Sequence, residues 1–422
     1  MKNIIKNNIP EILIGLYPFS LLLGTLISES INIILILFFA FNIFIKKNDT
    51  KIFLDKIIYI LFFIWLYLLI NLLNSTDIGL SFSRCVYFIR FPILILAISY
   101  FLNNSKELKI IFSLWVITLI IIIFDLYFQN LFGFNTVGYV SPMPGRLPGF
   151  LKDELKIAHL LIGFFIPSLA YLISNKISLI SNKKNLFFLI IILIIYLLII
   201  LLINERANAI RAIFIITFFL MMNNFIKTSY IFLSMLIFIV TISLTISFNS
   251  NIKQRFFTEI TNMNTHAKNL PQYILLSNYG PHYLSGYEVF KKYPIFGSGL
   301  KTFRVECKNI NIKKYYTQRN LDTITNIYHN KCTTHPHQTY IELLSETGFV
   351  GFFSFFSFFI YFLFRGFKVY LKNQNPILLG CCLFIISEFI PLLPSGSFFT
   401  SFSATIFWIN VSVAYSLIKK YE

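Results

Sequence analysis

The sequence predicts an all-α, polytopic membrane protein with about twelve transmembrane helices, on the evidence of its composition and its apolar runs. Of the 422 residues, 56% are hydrophobic and 13% are charged, whereas charged residues make up about 25% of ordinary globular domains. Long apolar runs recur along the chain, and about 20 such residues cross roughly 30 Å of hydrocarbon as a helix. Because lipid offers no partner to backbone N–H and C=O groups, each crossing segment must be helical.

The apolar runs divide the chain into twelve predicted spans, of which nine precede a long polar segment and three follow it. Their approximate limits are 10–27, 30–45, 57–73, 85–102, 109–128, 157–174, 186–203, 207–223, 229–247, 338–364, 376–393 and 397–418. We therefore expect three regions: residues 1–247 with nine spans and a polar loop at 129–156, a long loop with amphipathic helices at 248–337, and the last three spans at 338–422. The first run leads directly into the second, so it is expected to be a membrane anchor.

Lysines predict which side of the membrane each loop faces. They gather at both termini and in the loops after the even-numbered spans, while the intervening short loops are nearly free of lysine. Examples are Lys2, Lys6, Lys47, Lys51, Lys106, Lys176, Lys184, Lys227, Lys368, Lys372 and Lys420. Loops rich in lysine stay in the cytoplasm. We therefore expect a multi-pass protein of the bacterial inner membrane, with both termini in the cytoplasm and the two long polar segments in the periplasm.

Arginines have the opposite distribution. Of nine, only Arg365 maps to the cytoplasmic side. The other eight map to the outer side and are Arg84, Arg90, Arg146, Arg206, Arg211, Arg255, Arg304 and Arg319. The loop 248–336 carries twelve basic and four acidic residues, a net charge of +8. Because guanidinium binds phosphate bidentately and stays protonated, this outer face predicts an anionic ligand, although lipid headgroups would account for any single arginine.

The long loop contains one amphipathic segment and one glycine turn. Apolar residues at 283, 284, 287 and 290 have helical spacing, and Pro294 is expected to end that helix. The glycines of Pro294–Leu300 could bring backbone N–H groups to an anion, although an ordinary turn accounts for them more simply. No phosphate-binding P-loop or Rossmann motif is present, and no polar domain is large enough to bind a nucleotide sugar. A sugar donor would therefore have to arrive in the membrane.

Residues 333–351 open the tenth span and carry the most informative polar groups. Pro336 suits the start of a helix, so we expect His337 on the first turn, at the membrane surface. Gln338, Glu342 and Glu346 follow at four-residue intervals and would form one polar stripe. Carboxylates at membrane depth are costly unless paired, and arginines are the expected partners. Histidine is suited to accept a proton near neutral pH, so the flanking carboxylates favour a catalytic histidine over a structural one.

A polar turn, Asn204–Arg211, opens the eighth span on the same side. Arg206 and Arg211 are about 140° apart around a helix, so they cannot both point at one atom unless the helix breaks. Arg206 is nearer the predicted surface and is the better candidate. Arg90 lies inside the fourth span, and an arginine in the membrane is a functional candidate unless it pairs with Asp125 or another buried acid.

Four motifs occur in order along the outer side of the chain. They are Asp125–Gly133 with Arg146–Glu154, Asn204–Ala207, Pro294–Arg304, and His337-Gln338 followed after nine residues by Gly348-x-x-Gly351. This ordered set resembles the bacterial O-antigen ligases and the related O-antigen polymerases. The resemblance covers about 120–155 and 200–360. This chain departs from the family in lacking an arginine roughly fifty residues before the histidine, where His282 and Tyr287 stand, and in having Asn208 where the family often has a small residue.

The resemblance implies a membrane glycosyltransferase with a fold like that of the GT-C class. In this family an acceptor hydroxyl attacks a glycan on undecaprenyl diphosphate, a histidine is the proposed base, and arginines hold the diphosphate. Carried over, the catalytic residues are His337, Arg206 and Arg304. The substrate-binding candidates are Arg211, Arg146, Glu346, Gln338 and Arg255. No metal, other cofactor or nucleic acid is implied; the expected partners are membrane lipids, the lipid-linked donor and the acceptor.

Two enzymatic functions and one transport function remain open. A ligase transfers the glycan to lipid A–core, whereas a polymerase transfers it to another lipid-linked repeat, and the histidine signature favours the ligase. A single displacement would invert the anomeric configuration in either case. A transporter of lipid-linked sugars would place polar groups along a path through the bilayer, whereas the polar residues of this chain gather on one face.

Two cysteines, Cys307 and Cys332, lie in the long outer loop, while the other three lie in or near spans. The periplasm favours disulfide formation, so we predict that these two are bonded. Such a disulfide would connect the Arg304 region to the start of the His337 helix.

Overall fold

The computed structural model describes residues 8–46, 55–102, 105–174, 183–223, 226, 228–261, 267, 269–317 and 332–422. Within these ranges the chain is helical and has no β-strand, which confirms the predicted all-α class. Eight of the described helices are long and apolar enough to cross a membrane, so the chain is a polytopic membrane protein. Several residues named above lie outside the described ranges, namely Arg319, Lys2, Lys6, Lys47, Lys51, Lys176 and Lys227.

The first part of the chain forms helices joined by short turns and one polar loop. They are α1 (Ile9–Gly15), α2 (Tyr17–Leu23), α3 (Thr25–Lys46), α4 (Lys56–Leu73), α5 (Ile78–Tyr87), α6 (Arg90–Phe101), α7 (Ser105–Phe132), α8 (Ile157–Ser174), α9 (Lys183–Ile203), α10 (Arg206–Met222) and α11 (Thr228–Phe248).

The long polar segment contains short helices, and three long helices follow it. The numbered ones are α12 (Leu270–Leu276), α13 (Gly280–Lys292), α14 (Thr339–Asn373), α15 (Pro376–Glu388) and α16 (Ser401–Tyr421). Helical turns also occur at Gly149–Leu151, Ser250–Lys253, Gln254–Thr258, Phe303–Glu306, Cys307–Asn309 and Lys313–Thr317. The amphipathic helix expected before Pro294 is α13, which packs against α14.

Two predicted spans are broken helices. The first consists of α1 and α2, and Gly24 ends it with a φ of 132°, a backbone conformation that glycine adopts most readily. The fourth consists of α5 and α6, which meet just before Pro92, a residue without an N–H for the helix. Arg90 begins α6 and pairs with Glu29 of α3 at 2.9 Å, so its partner is this acid and not Asp125.

The degree of burial separates central helices from peripheral ones. The most apolar windows of α8 and α16 are each 89% buried inside the protein, whereas that of α11 is 11% buried. Helices α8 and α16 therefore form the centre of the bundle, where α15 packs against α8 and α6 packs against α16. α11 lies at the edge and presents its apolar side chains to the surroundings, as a lipid-facing helix does.

The described parts of 133–156 and 249–338 meet at one end of the helix bundle, called the site end below. Asn204, between α9 and α10, donates from its Nδ2 to the carbonyl of Gly145 at 3.0 Å and so joins the two polar segments to the helices. The opposite end holds Asp55, and α4 separates it from the site end by 18 residues, a length of about 27 Å. The compartment that each end faces stays a prediction.

The motif Asp125–Gly133 folds the first polar loop. The Asp125 carboxylate accepts the Thr136 N–H at 2.8 Å, and Gln129 Oε1 accepts the Gly149 N–H at 2.9 Å. Both acceptors extend from α7, so the loop is held against the end of that helix. This part of the family resemblance therefore has a structural role.

α14 is broken at Gly348, whose φ is 63° and ψ −169°, and the segment Pro294–Gly299 fills the break. Before the break, the Ser298 N–H donates to the carbonyl of Ser345 at 3.0 Å. After it, the Phe349 N–H donates at 2.8 Å to the first carbonyl of the segment. These bonds satisfy backbone groups that the break would otherwise leave unpaired.

Glycines allow the two backbones to approach at this break. A Cβ on Gly297 would lie 2.4 Å from the backbone of Glu346, and one on Gly348 would lie 2.3 Å from the carbonyl oxygen of Ile295. The Gly299 N–H donates to the Glu346 carbonyl at 3.0 Å. The structure therefore uses these glycines for backbone packing, and the suggestion that their N–H groups approach an anion is wrong.

Candidate active site

A cavity of about 580 Å³ opens at the site end. Its walls come from the polar loop before α8, the start of α10, the turn after α11, helices α12 and α13, the residues before α14, and the loop 392–403. Eight basic or histidine side chains line it: Arg146, Lys156, Arg206, Arg211, Arg255, His159, His335 and His337. Glu205 is the one carboxylate among the described lining residues. The cavity is therefore suited to an anion.

His337 lies before α14 and not on its first turn, where the sequence placed it. Gln338 is the N-cap, and its side-chain oxygen accepts the Ile341 N–H at 2.8 Å. The residue that we expected to bind substrate thus caps the helix instead. His337 adopts a left-handed φ of 57°, and its carbonyl accepts the Ser395 N–H at 2.9 Å. This backbone conformation turns the imidazole into the cavity, away from the helix.

Two further histidines surround His337. The His335 and His282 ring centroids lie 4.1 and 4.8 Å from that of His337. Burial lowers the pKa of His337, and burial together with the neighbouring His337 lowers the pKa of His335 to about 3. Both rings are therefore neutral at pH 7, the state in which imidazole accepts a proton. Among the described residues, no group of three His, Cys, Asp or Glu side chains is placed to hold a metal ion.

Arg206 and Arg211 reach the cavity from successive turns of α10. Arg206 Nη1 donates to the Arg255 carbonyl at 3.1 Å, and its Nη2 pairs with Glu259 at 3.2 Å. Arg211 is deeper, with 2% of its side chain exposed. The two guanidinium groups extend from different faces of the helix. Both nevertheless line the same cavity, which is large enough for a ligand to contact both.

Asn208 organises the wall around Arg211. Its side-chain oxygen accepts from Arg211 Nη1 at 3.0 Å, and its Nδ2 donates to the Glu205 carboxylate. Arg211 also donates to the carbonyls of Ser387 and Pro394, each at 3.1 Å. Burial raises the pKa of Glu205 to about 7, so this carboxylate is only partly ionised at neutral pH. Asn208, which stands where the family often has a small residue, thus links Glu205 to Arg211 through hydrogen bonds.

Arg146 and Arg255 complete the set of cavity arginines. Arg146 follows Gly145, whose φ of 74° turns the loop toward the cavity. Burial lowers the pKa of Arg255, and the charges of Arg146 and Arg206 lower it further. Arg255, from a part of the loop far from His337 in the sequence, therefore lines the same cavity as the proposed base. A guanidinium remains charged in such surroundings.

The family model described as O-Antigen ligase matches residues 189–356. This range contains the cavity residues Arg206, Arg211, Arg255 and His337 and the broken start of α14. The match supports the resemblance of this part of the chain to the superfamily of O-antigen ligases and polymerases. Members of this superfamily are glycosyltransferase-like enzymes that act on lipid-linked glycans in a membrane. No curated protein sequence matches the chain.

The structure does not bring all of the expected superfamily residues together. Arg304 and Glu346 are not among the cavity residues. Arg304 lies near Arg84 and Lys301 instead. Glu346 is 1% exposed and interacts with backbone N–H groups of the turn at Lys301. Neither Glu342 nor Glu346 forms an ion pair with an arginine in the described chain, so the ion pairs expected for this stripe are not found there, and Arg304 is the arginine that lies near Glu346.

Glu342 holds the cavity wall from behind. Its carboxylate accepts the Phe398 N–H at 2.8 Å and a hydrogen bond from the Ser397 hydroxyl, and Ser397 lines the cavity. The residue therefore positions the loop 392–403 and does not touch the cavity itself. The four-residue spacing in the sequence therefore identified Glu342 as a residue that matters for the site. It did not reveal that the partners of Glu342 lie in the loop 392–403.

Sequence reasoning missed His159 and Glu388. His159 on α8 lines the cavity, and its Nδ1 lies 3.9 Å from Glu388 Oε1. Arg211 Nε is also 3.9 Å from that oxygen. The signal in the sequence was an ionisable residue within an otherwise apolar span, which is rare without a function. Tyr279, whose ring centroid lies 5.7 Å from that of His337, carried no such signal.

Cys307 and Cys332 form a disulfide, with their Cα atoms 5.4 Å apart and a sequence separation of 25. The bond joins the turn after Phe303–Glu306 to the chain that leads to His337. It therefore gives the residues before α14 a covalent anchor on the polar segment, as the sequence predicts.

Proposed function

We propose that this protein is an O-antigen ligase, which transfers a glycan from undecaprenyl diphosphate to lipid A–core at the periplasmic face of the inner membrane. One observation carries the proposal: a neutral histidine, His337, and four arginines line a single cavity at the site end. The arginines are Arg146, Arg206, Arg211 and Arg255. This combination offers a base and an anion site within one enclosed space.

In the proposed reaction, His337 and the cavity arginines have different roles. The acceptor hydroxyl oxygen bonds to the anomeric carbon while the bond from that carbon to the diphosphate oxygen breaks. His337 takes the hydroxyl proton, and undecaprenyl diphosphate leaves with the electron pair. The arginines meet the charge that develops on the leaving group with fixed donors, so the reaction is proposed to need no metal. Attack opposite the leaving group inverts the anomeric configuration.

An apolar groove beside the cavity supports a lipid-linked donor. It has a volume of about 260 Å³ and lies between α13 and the first turns of α14. Ile274, Tyr283 and Leu392 line both the groove and the cavity. The Tyr283 hydroxyl donates to the Leu392 carbonyl at 3.3 Å and marks their border. A diphosphate among the arginines could thus keep the first isoprene units of its lipid in the groove.

An O-antigen polymerase, which joins lipid-linked repeats, is the second candidate, because the donor chemistry and the matched family are shared. Deletion of the gene followed by electrophoresis of lipopolysaccharide separates the two. Loss of all long chains with an intact core supports the ligase, and core with a single repeat supports the polymerase. Unchanged bands would favour neither.

Transfer from purified lipid-linked glycan to acceptor, with a chelator present throughout, tests the chemistry directly. We expect turnover to persist in the chelator, and its loss would mean that a metal meets the diphosphate charge. Reporter fusions after residues 45 and 300 test the sidedness, since they should report cytoplasm and periplasm respectively. The same compartment for both would contradict a periplasmic site.

A further inference from the structure

A second group of cations lies at the site end, outside the cavity. It consists of Arg84 on α5 with Lys301 and Arg304 on the turn after Gly299, and is called the Arg84 cluster below. The three charges are near enough to repel one another. None of them lines the cavity in which the donor diphosphate is proposed to bind.

Backbone contacts fix the Arg84 cluster in place. The Ser81 hydroxyl donates to the Leu300 carbonyl at 2.8 Å, and Arg84 follows Ser81 by one turn of α5. The Thr76 N–H donates to the Ser298 carbonyl at 2.9 Å. These bonds hold the turn that carries Lys301 and Arg304 along α5, so the cations converge because of the fold and not because of flexible side chains.

The positive charge of the cluster is largely unmet within the described chain. Among the described residues, no carboxylate forms an ion pair with any of the three cations. Arg84 donates to the Ser401 hydroxyl at 3.1 Å, and the Nε atoms of Arg84 and Arg304 are buried without a hydrogen-bond partner. Glu346 lies near Arg304 and Lys301. Glu29 lies near Arg84 but is already paired with Arg90, so these two carboxylates do not balance the cations. Guanidinium groups whose charge and N–H donors are not matched by the protein are suited to bind phosphate.

The cluster adjoins the cavity through the loop 392–403. Ser401, which accepts from Arg84, is followed by Phe402 and Ser403 and preceded by Thr400, and these three line the cavity. One segment of chain therefore has the cavity on one side and the Arg84 cluster on the other. A ligand bound at the cluster lies next to the site of transfer without occupying the donor position.

We infer that the Arg84 cluster binds a phosphate group of the acceptor, a glycolipid of the membrane that carries phosphate. The inference rests on the proposed function, in which the cavity arginines hold the donor diphosphate. Two anionic lipids must then meet at one site, and two separate cation groups prevent them from competing for the same arginines. The acceptor phosphate is held at the cluster, and a sugar hydroxyl of the same molecule extends over the loop 392–403 toward His337.

Binding to the full-length protein in phosphatidylcholine nanodiscs tests the inference without any donor. The probes are bisphosphorylated lipid A and the same lipid after removal of its phosphates. Changing Arg84→Gln with Arg304→Gln should weaken binding of the phosphorylated probe about tenfold or more, because charged hydrogen bonds are lost, and leave the dephosphorylated probe unaffected. The matched control, Lys308→Gln with Lys313→Gln, removes two charges from exposed positions of the same polar segment and should change neither affinity.

Three results would overturn the inference. They are equal weakening of both probes, equal weakening in the control variant, and displacement of lipid A by an equal concentration of phosphatidylglycerol, which would assign the cluster to ordinary headgroups. If the glutamine pair does not fold, Arg84→Lys with Arg304→Lys serves instead, and partial loss confined to the phosphorylated probe is expected. Failure of the proposed function is recognised separately, since wild-type protein would then bind lipid A but transfer no glycan.

Discussion

The two ends of the helix bundle use arginine in opposite ways. At the end away from the cavity, Arg365 donates to Asp55 at 2.8 Å and also contacts Glu422. Lys419 pairs with the same Asp55 at 3.2 Å. Two basic side chains thus form ion pairs with two carboxylates. These ion pairs connect the residue before α4 to α14 and to the end of α16, which are far apart in the sequence.

At the site end, basic side chains outnumber the carboxylates that meet them. Arg206 has an ion-pair partner in Glu259, but Arg146 and Arg255 have none in the described chain. The carboxylate nearest the cavity, Glu205, has a pKa that burial raises to about 7. Positive charge held together without counter-charge opposes folding and attracts anions. The difference between the ends teaches that balanced charges hold the fold together at one end, whereas an excess of arginines over carboxylates at the other end indicates where an anionic ligand binds.

The largest expected effect at the site end follows from replacing the proposed base. His337→Asn should reduce transfer roughly 10²–10⁴-fold, the usual contribution of general-base help. Asparagine is chosen because it tolerates the left-handed φ of 57° at this position, so loss of activity would not reflect backbone strain. Turnover by purified variant is the measurement, and a normal rate would exclude the base role.

The disulfide is expected to matter for the stability of the site end, because it joins two distant parts of the polar segment. Cys307→Ser with Cys332→Ser should lower the free energy of unfolding of the polar segment by roughly 3 kcal/mol in the chain-entropy model. Thermal unfolding with and without reductant measures this. Recovery of both cysteines as unlinked thiols by mass spectrometry without reduction would remove the basis of the prediction.

An exchange of arginine for lysine at each end compares the two uses directly. Arg206→Lys keeps the charge but loses the fork, so transfer should fall about 10–100-fold, corresponding to one or two charged hydrogen bonds. Arg365→Lys at the opposite end should leave the transfer rate unchanged and reduce only thermal stability. Equal losses of transfer in both variants would mean that the charge distribution does not locate the site.

The smallest expected effect is on pH dependence. Burial lowers the pKa of His337 below the ordinary histidine value of 6.5, so the imidazole stays neutral and able to accept a proton as the pH falls to that value. Transfer should therefore remain constant between neutral pH and 6.5 and decline only below it. A decline centred above 6.5 would place the base in a more polar environment than the structure shows, or on another residue.

The sequence alone was sufficient for the fold class and for part of the candidate site. Apolar runs are local, and a helix in lipid must satisfy its own backbone, so the helical membrane class follows without knowledge of packing. The motifs around Arg206 and His337 were recognised by spacing within one or two helical turns. The cysteine pair was recognised by elimination, since only two cysteines lie in the long loop.

The tertiary structure decided which of these residues meet. Arg304 is 33 residues from His337 in the sequence, yet it lies with Arg84 and not in the cavity. Arg255 lies much further away in the chain and lines the cavity with His337. The physical reason is that spacing determines neighbours only along one helix, whereas loop residues meet where helices end or break. The break at Gly348, which accepts Pro294–Gly299, depends on contacts between distant backbones that no local pattern reveals.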